Sequence, residues 1–197
     1  MRGRLIVLDG PDGSGTTLHS HMLAEKLRAQ GKDVLLTAEP TDGLIGRCLR
    51  EALPSGQLPA DALQLLFCAD RAEHVMRTLE PALKRGTIVV TDRYVASTLA
   101  YGQALGLSIP WLQEMNKNFI HPDRTIFLLP PLSVALERLR ARETHDSLED
   151  EDLQQRVHEA YRALAAADPS IVVIDTSPNK DVVAEQIWNT IRETPYM

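Results

Sequence analysis

Five short apolar runs recur along the chain, at residues 5–9, 34–38, 88–92, 125–129 and 171–175, and longer amphipathic stretches separate them. Each run is apolar at successive rather than alternate positions. That is the pattern of strands covered on both faces of a parallel sheet. Helical spacing of apolar residues predicts helices at about 16–30, 60–85, 111–118, 133–142, 151–167 and 181–192. Strand alternating with helix implies an α/β fold, and right-handed crossovers place helices on both faces of one five-stranded parallel sheet. Asp9, Glu39 and Asp92 each stand at the end of an apolar run. In open α/β sheets ligands bind just beyond those carboxyl ends, so the three acids are expected on one rim. Residues 142–152 are almost wholly polar and read as a lid or a solvated loop between two helices.

The length of 197 residues suits one domain with a single core, here residues 1–197 with the lid inside it. A net charge of −6 argues against an extended nucleic-acid footprint, which needs clustered cations. Arginine outnumbers lysine, which favours small anions gripped by a planar fork. Cys48 and Cys68 lack the spacing of a zinc site or a disulfide scaffold, and the apolar start is too short to span a membrane. A cytoplasmic protein acting on small molecules is expected, with no membrane partner.

The most specific signal follows the first strand. Gly10-Pro11-Asp12-Gly13-Ser14-Gly15-Thr16-Thr17 has the glycine spacing of a phosphate-binding Walker A loop and opens a helix. Its backbone N–H groups and the helix terminus favour phosphate, and Thr17 takes the hydroxyl position that ligates Mg²⁺. Thr16, however, stands where the motif has a lysine directed at the β- and γ-phosphates. His19 and His21 are two apart on a helix and point away from each other, which argues against a shared metal. His19 is near enough to the loop to donate to phosphate. His74, His121, His145 and His158 share no spacing and read as surface or capping residues. The acidic run 149–152 reads as the negatively charged start of a helix.

From residue 5 to about 191 the order of motifs resembles the thymidylate kinase family. Asp12-Gly13-Ser14-Gly15 is followed by Glu39-Pro40-Thr41-Asp42-Gly43, then by Leu66-Phe67-Cys68-Ala69-Asp70-Arg71 with His74, and then by Asp92-Arg93-Tyr94 with Ser97 and Tyr101. Pro122-Asp123 and Val134-Ala135-Leu136-Glu137-Arg138 complete it. The resemblance implies a P-loop NTPase-type fold and Mg²⁺-dependent transfer of the ATP γ-phosphoryl to dTMP. It implies catalytic roles for Asp12, Asp92, Arg93 and Arg142. Residues 10–17, namely Gly10, Pro11, Asp12, Gly13, Ser14, Gly15, Thr16 and Thr17, would bind ATP together with Arg138, and Thr17 and Asp92 would hold the metal. Glu39, Pro40, Phe67, Arg71, Arg93, Ser97 and Tyr101 would bind the acceptor. Phe67 would stack on thymine, Arg71 would reach its carbonyl edge, Arg93 would grip the monophosphate, and Tyr101 would crowd the 2′ position of the sugar. A homodimer packed through helices beside the sheet is implied as well.

The chain departs from the family pattern at Thr16, at Ala38 where arginine is frequent, at Leu129 where an acid is frequent, and at Ser147 in the lid. These changes weaken the donor side more than the acceptor side. Two alternatives therefore stay open at this stage: a kinase for another deoxynucleotide or a nucleoside, and a nucleotide-binding module without catalysis.

Overall fold

The computed structural model describes residues 2–141 and 147–192. Its elements in chain order are β1 (Leu5–Asp9), α1 (Thr16–Ala29), β2 (Val34–Ala38), α2 (Leu44–Ala52), α3 (Ala60–His74), α4 (Glu80–Lys84), β3 (Ile88–Asp92), α5 (Val95–Ala104), α6 (Ile109–Asn116), β4 (Arg124–Leu128), α7 (Leu132–Arg140), α8 (Glu151–Ala167), β5 (Val172–Ile174) and α9 (Lys180–Arg192). All strand pairings are parallel, in the order β2-β3-β1-β4-β5. The α/β class and the five-stranded parallel sheet agree with the sequence reading.

The central strand shows why its apolar run is continuous. Ile6 and Leu8 pack with Leu23 and Leu27 of α1 and with Val183, Ile187 and Ile191 of α9. Leu5 and Val7 face the other way, against Leu79 and Leu83. All four side chains are buried, each contributing roughly 1.5–3 kcal/mol of transfer free energy. A second cluster on that opposite face joins α5 to α8 around Phe127 and Tyr161, whose rings meet edge-on at 5.0 Å.

This layering locates the site. The chain leaves β1 toward α1 on one face and leaves β3 toward α5 on the other, and β1 and β3 are neighbours. A crevice therefore opens at their carboxyl ends, as it does wherever adjacent crossovers diverge.

Three features differ from the expected elements. The helix expected over 60–85 contains a π-helical turn, Val75–Leu79, immediately before Pro81. Proline has no N–H for the preceding turn and its ring crowds the carbonyl four residues back, so the widened turn accommodates it. Two helices, α2 and α5, did not stand out as separate stretches; α2 is only nine residues long and follows directly on Pro40 and Gly43, and α5 is largely apolar. The edge strand β5 is shorter than predicted, and Val173 within it is half exposed.

Candidate active site

The loop between β1 and α1 takes the shape its glycines allow. Gly13 and Gly15 have φ of 77° and 88°, and a Cβ on Gly13 would lie 2.4 Å from the Ala135 carbonyl oxygen. Helix α7 thus closes directly onto the loop. Thr16 and Thr17 begin α1, so their N–H groups have no intrahelical partner and remain directed at a ligand. Arg138 Nη1 donates to the carbonyl of Gly13 at 3.2 Å, and Nη2 donates to that of Thr176 at 2.7 Å. The Thr176 hydroxyl in turn donates to the Ser14 carbonyl at 2.7 Å. Arg138 therefore sits beside the loop but is first of all its brace. His19 is buried next to Gly15; burial, and then the charge of Arg138, hold its imidazole below the usual 6.5, so it is neutral at pH 7. It supplies no substitute for the lysine's charge.

At the ends of β1 and β3 the chain builds a fixed guanidinium. Arg93 follows β3 with φ of 69°, a left-handed conformation that costs a non-glycine residue about 1–2 kcal/mol. The turn directs its side chain back onto the loop, where Nη1 donates to the Gly10 carbonyl at 2.8 Å and Nη2 to Asp12 Oδ1 at 2.6 Å. The other oxygen of Asp12 accepts from the Tyr101 hydroxyl at 2.6 Å and from Gln154 Nε2 at 3.1 Å. The Asp12 N–H donates to that same tyrosine oxygen at 3.1 Å. Burial raises the pKa of Tyr101, with Asp12 adding to the effect, so the hydroxyl stays protonated as a donor. Burial opposes the charge of Arg93, but the neighbouring Asp12 carboxylate favours it, and the guanidinium stays protonated.

Asp9 anchors this arrangement. Fully buried, it accepts from the N–H groups of Gly10 and Tyr94 at 3.0 Å each, from the Ser97 hydroxyl at 2.6 Å and from the Tyr161 hydroxyl at 2.6 Å. Burial raises its pKa, against the opposing effects of Arg93 and of these hydrogen bonds. Ser97, expected near the base and sugar, is thus committed to Asp9 while it also accepts from Arg93 Nη1 at 3.2 Å.

Beside them Thr17 Oγ1 donates to Asp92 Oδ2 at 2.5 Å, and the buried Asp92 Oδ1 has no hydrogen-bond partner among the described residues. A hydroxyl and a carboxylate with a spare oxygen are the donor types of a hard divalent cation. Thr17 and Asp92 line an open space of about 490 Å³ together with Ala38, Thr41 and Arg77.

A second cavity, of about 110 Å³, is lined by Pro40, Phe67, Arg71, Arg93 and Tyr101 among others. Three side chains of α3 hold the Glu39-Pro40-Thr41 turn to its wall. Asp70 accepts from the N–H and hydroxyl of Thr41 at 2.8 and 2.6 Å. Arg71 Nη2 lies 2.7 Å from Glu39 Oε2, and His74 Nδ1 lies 3.0 Å from Oε1. His74 is therefore buried at the site rather than a surface or capping residue; its other ring nitrogen meets the Thr37 hydroxyl at 2.8 Å. Arg71 is also more engaged than its spacing suggests. Its Nη1 donates to Thr98 and Asn116 at 3.0 and 2.6 Å and its Nη2 to the Tyr94 carbonyl at 3.0 Å, so every nitrogen has a protein acceptor. To reach a base, Arg71 would have to share one of those donors.

Arg142 lies outside the described residues. Of the described part of the lid, Leu148 is buried and lines the second cavity, and Asp150 caps α8 by accepting the Leu153 N–H at 3.0 Å. Arg140 is paired with Glu151 through Nε and Nη2 at 2.6 and 2.8 Å. Gln64, Gln154 and Tyr161 were not foreseen as site residues, and Asp9, expected on the rim, was given no role there. For Gln64 a signal existed, since it shares a helical face with Phe67 and Arg71 at spacings of three and four.

Among known proteins, a family model described as thymidylate kinase matches residues 8–187. The chain is 42% identical over 197 residues to a thymidylate kinase of Thermomicrobium roseum, with 95% of this chain and 94% of that protein covered. It is 39% identical over 194 residues to a probable thymidylate kinase of Pyrococcus abyssi, covering 95% of each. A thymidylate kinase of Synechococcus sp. is 40% identical over 195 residues, covering 94% and 93%.

Proposed function

Since the chain belongs to the thymidylate kinase family, and is thus a nucleoside-monophosphate kinase, we propose that it transfers the γ-phosphoryl of ATP to dTMP in line, with Mg²⁺ and without a covalent intermediate. The observation that carries this reading is the placement of Arg93 between the phosphate loop and the cavity lined by Phe67. One cation there faces both the donor's terminal phosphate and an acceptor phosphate. Family membership and the assembled acceptor cavity leave the reading of a non-catalytic module without support, despite Thr16.

Each residue has a derivable task. The N–H groups opening α1 hold the donor phosphates in an electropositive field. Arg93 aligns the acceptor phosphate and stabilises charge on the group in flight, which is where most of the catalysis of phosphoryl transfer lies. Asp12 and Tyr101 fix the rotamer of Arg93, so little reorganisation is needed. The acceptor phosphate is already ionised near pH 7 and requires no general base. Thr17 and Asp92 would hold Mg²⁺, which neutralises charge on the β- and γ-oxygens when bound. Arg138, and Arg142 from the lid, are the proposed donor-side cations; contact of Arg138 with phosphate would be shared with its brace on Gly13. Phe67 offers its ring to the thymine, Glu39 and Pro40 shape the wall behind it, and Leu148 closes it from the lid.

We place the enzyme in the cytoplasm, where ATP and dTMP are found and where its two unpaired cysteines stay reduced. Among the described residues no helix is long and apolar enough to cross a membrane. We further propose a homodimer: Leu65, Ala72 and Met76 expose one apolar face of α3 and the turn after it, and Trp111 of α6 is partly exposed as well. Light scattering would report twice the chain mass, and Leu65→Lys would reduce it.

The base site is tested by Phe67→Ala. One base–aromatic stack contributes about 1–3 kcal/mol, so calorimetry should show dTMP binding weakened by roughly five- to hundredfold with ATP binding preserved. Intact dTMP affinity in this variant would exclude the cavity as the base site.

A further inference from the structure

Gln64 lies on α3 one turn before Phe67 and two turns before Arg71, so the three side chains emerge on one face. It lines the cavity that Phe67 and Arg71 line. Its relative exposure is 0%, yet neither Oε1 nor Nε2 has a hydrogen-bond partner among the described residues. A primary amide has two donors and an acceptor oxygen with two lone pairs, and leaving such a group unpaired in the interior forfeits its hydration without replacement. An apolar residue of similar shape would avoid that cost. The guanidinium beside it is satisfied: Arg71 gives its donors to Glu39, Thr98, Asn116 and Tyr94. Among the described residues that line the cavity, Gln64 and the Tyr94 hydroxyl lack partners, and Gln64 offers a planar pair of donor and acceptor.

We propose that Gln64 is a specificity residue that reads the hydrogen-bonding edge of the acceptor's pyrimidine base. Nε2 donates to an exocyclic carbonyl and Oε1 accepts from the ring imide N–H, while Phe67 covers the face of the ring. This inference rests on the reading of the cavity as the acceptor's base site. It adds a neutral amide on the same helix face to Arg71, whose donors are already shared among Glu39, Thr98, Asn116 and Tyr94.

The test replaces the amide by an unbranched apolar side chain of similar length, Gln64→Met, beside Phe67→Ala. Calorimetry measures dTMP, ATP and 2-deoxyribose 5-phosphate, the last presenting sugar and phosphate without a base. Loss of two neutral hydrogen bonds should weaken dTMP binding to Gln64→Met by about five- to hundredfold. Binding of ATP and of the abasic phosphate should match the parent. Tm of the unliganded variant should be no lower than the parent's, because an unpaired buried amide has been removed. Unchanged dTMP affinity in Gln64→Met, with affinity lost in Phe67→Ala, overturns the role of Gln64 and leaves the base site standing. Unchanged affinity in both variants overturns the base site itself. Equal losses for dTMP and the abasic phosphate, or a fall in Tm of the unliganded protein, would make Gln64 a structural residue and refute the proposal.

Discussion

Tyr101→Phe separates two tasks that one side chain combines. The ring is proposed to crowd the acceptor's sugar, and phenylalanine keeps that bulk, along with the ring that lies 5.6 Å from the guanidinium carbon of Arg93. The hydroxyl holds Asp12 twice, donating to its carboxylate at 2.6 Å and accepting its N–H at 3.1 Å, at a residue only 5% exposed. A hydrogen bond to a charged group contributes about 1.5–3 kcal/mol, and a backbone N–H left dry costs about 1–3 kcal/mol. The two losses overlap, since Gln154 and Arg93 still reach the carboxylate, so a total of roughly 2–4 kcal/mol is expected. For a chain of this length that lowers Tm by roughly 5–15 °C in scanning calorimetry. With Asp12 less constrained, Arg93 loses its fixed orientation, and kcat/KM for dTMP should fall by about tenfold or more. Preference for dTMP over its ribose counterpart should persist, because the ring remains. A Tm within about 1 °C of the parent, with unchanged kcat/KM, would refute the network as the support of Arg93.

Other outcomes follow from the same geometry. Arg93→Lys keeps the charge but cannot donate to Gly10 and Asp12 through a planar fork, so kcat should fall by about 10²–10³ with a much smaller effect on folding; equal turnover would remove Arg93 from the chemistry. Thr16→Lys restores a cation at the start of α1, and ATP should bind more tightly with dTMP affinity unchanged, at a cost of about 0.3–1 kcal/mol to the unliganded helix terminus. Unchanged ATP KM and kcat in steady-state assays would show that Thr16 is not the limiting defect. His19 is held neutral in the fold, so the unfolded chain takes up a proton that the native state refuses as pH falls through 6.5. Stability should therefore drop on that acid side, and His19→Gln should lose less between pH 7 and pH 5.5 in urea titrations; an equal loss in both would place the titration elsewhere.

The sheet was legible because burial on both faces leaves little choice of residue: strands β1, β2 and β3 have the predicted ends, and β4 is displaced by one position. The phosphate loop and the Asp92-Arg93 turn were legible because their chemistry is local in sequence. What escaped is nonlocal. Tyr161 reaches Asp9 across 152 positions and Gln154 reaches Asp12 across 142, and neither helix position differs from an ordinary amphipathic one. His74 was misread for the same reason, since Glu39 lies 35 positions away at the end of β2. Arg71 lines the cavity beside Phe67, but its saturation by Glu39, Thr98, Asn116 and Tyr94 depends on three other elements meeting there.

The central claim is that a phosphate loop without its lysine still works with an intact acceptor site to phosphorylate dTMP. A coupled assay for nucleoside diphosphate, run with ATP and Mg²⁺ across the natural nucleoside monophosphates, tests it most directly. Product is expected from dTMP above every other acceptor, and none when Mg²⁺ is chelated. Binding of dTMP and ATP without product, or a different monophosphate as the best acceptor, would contradict it.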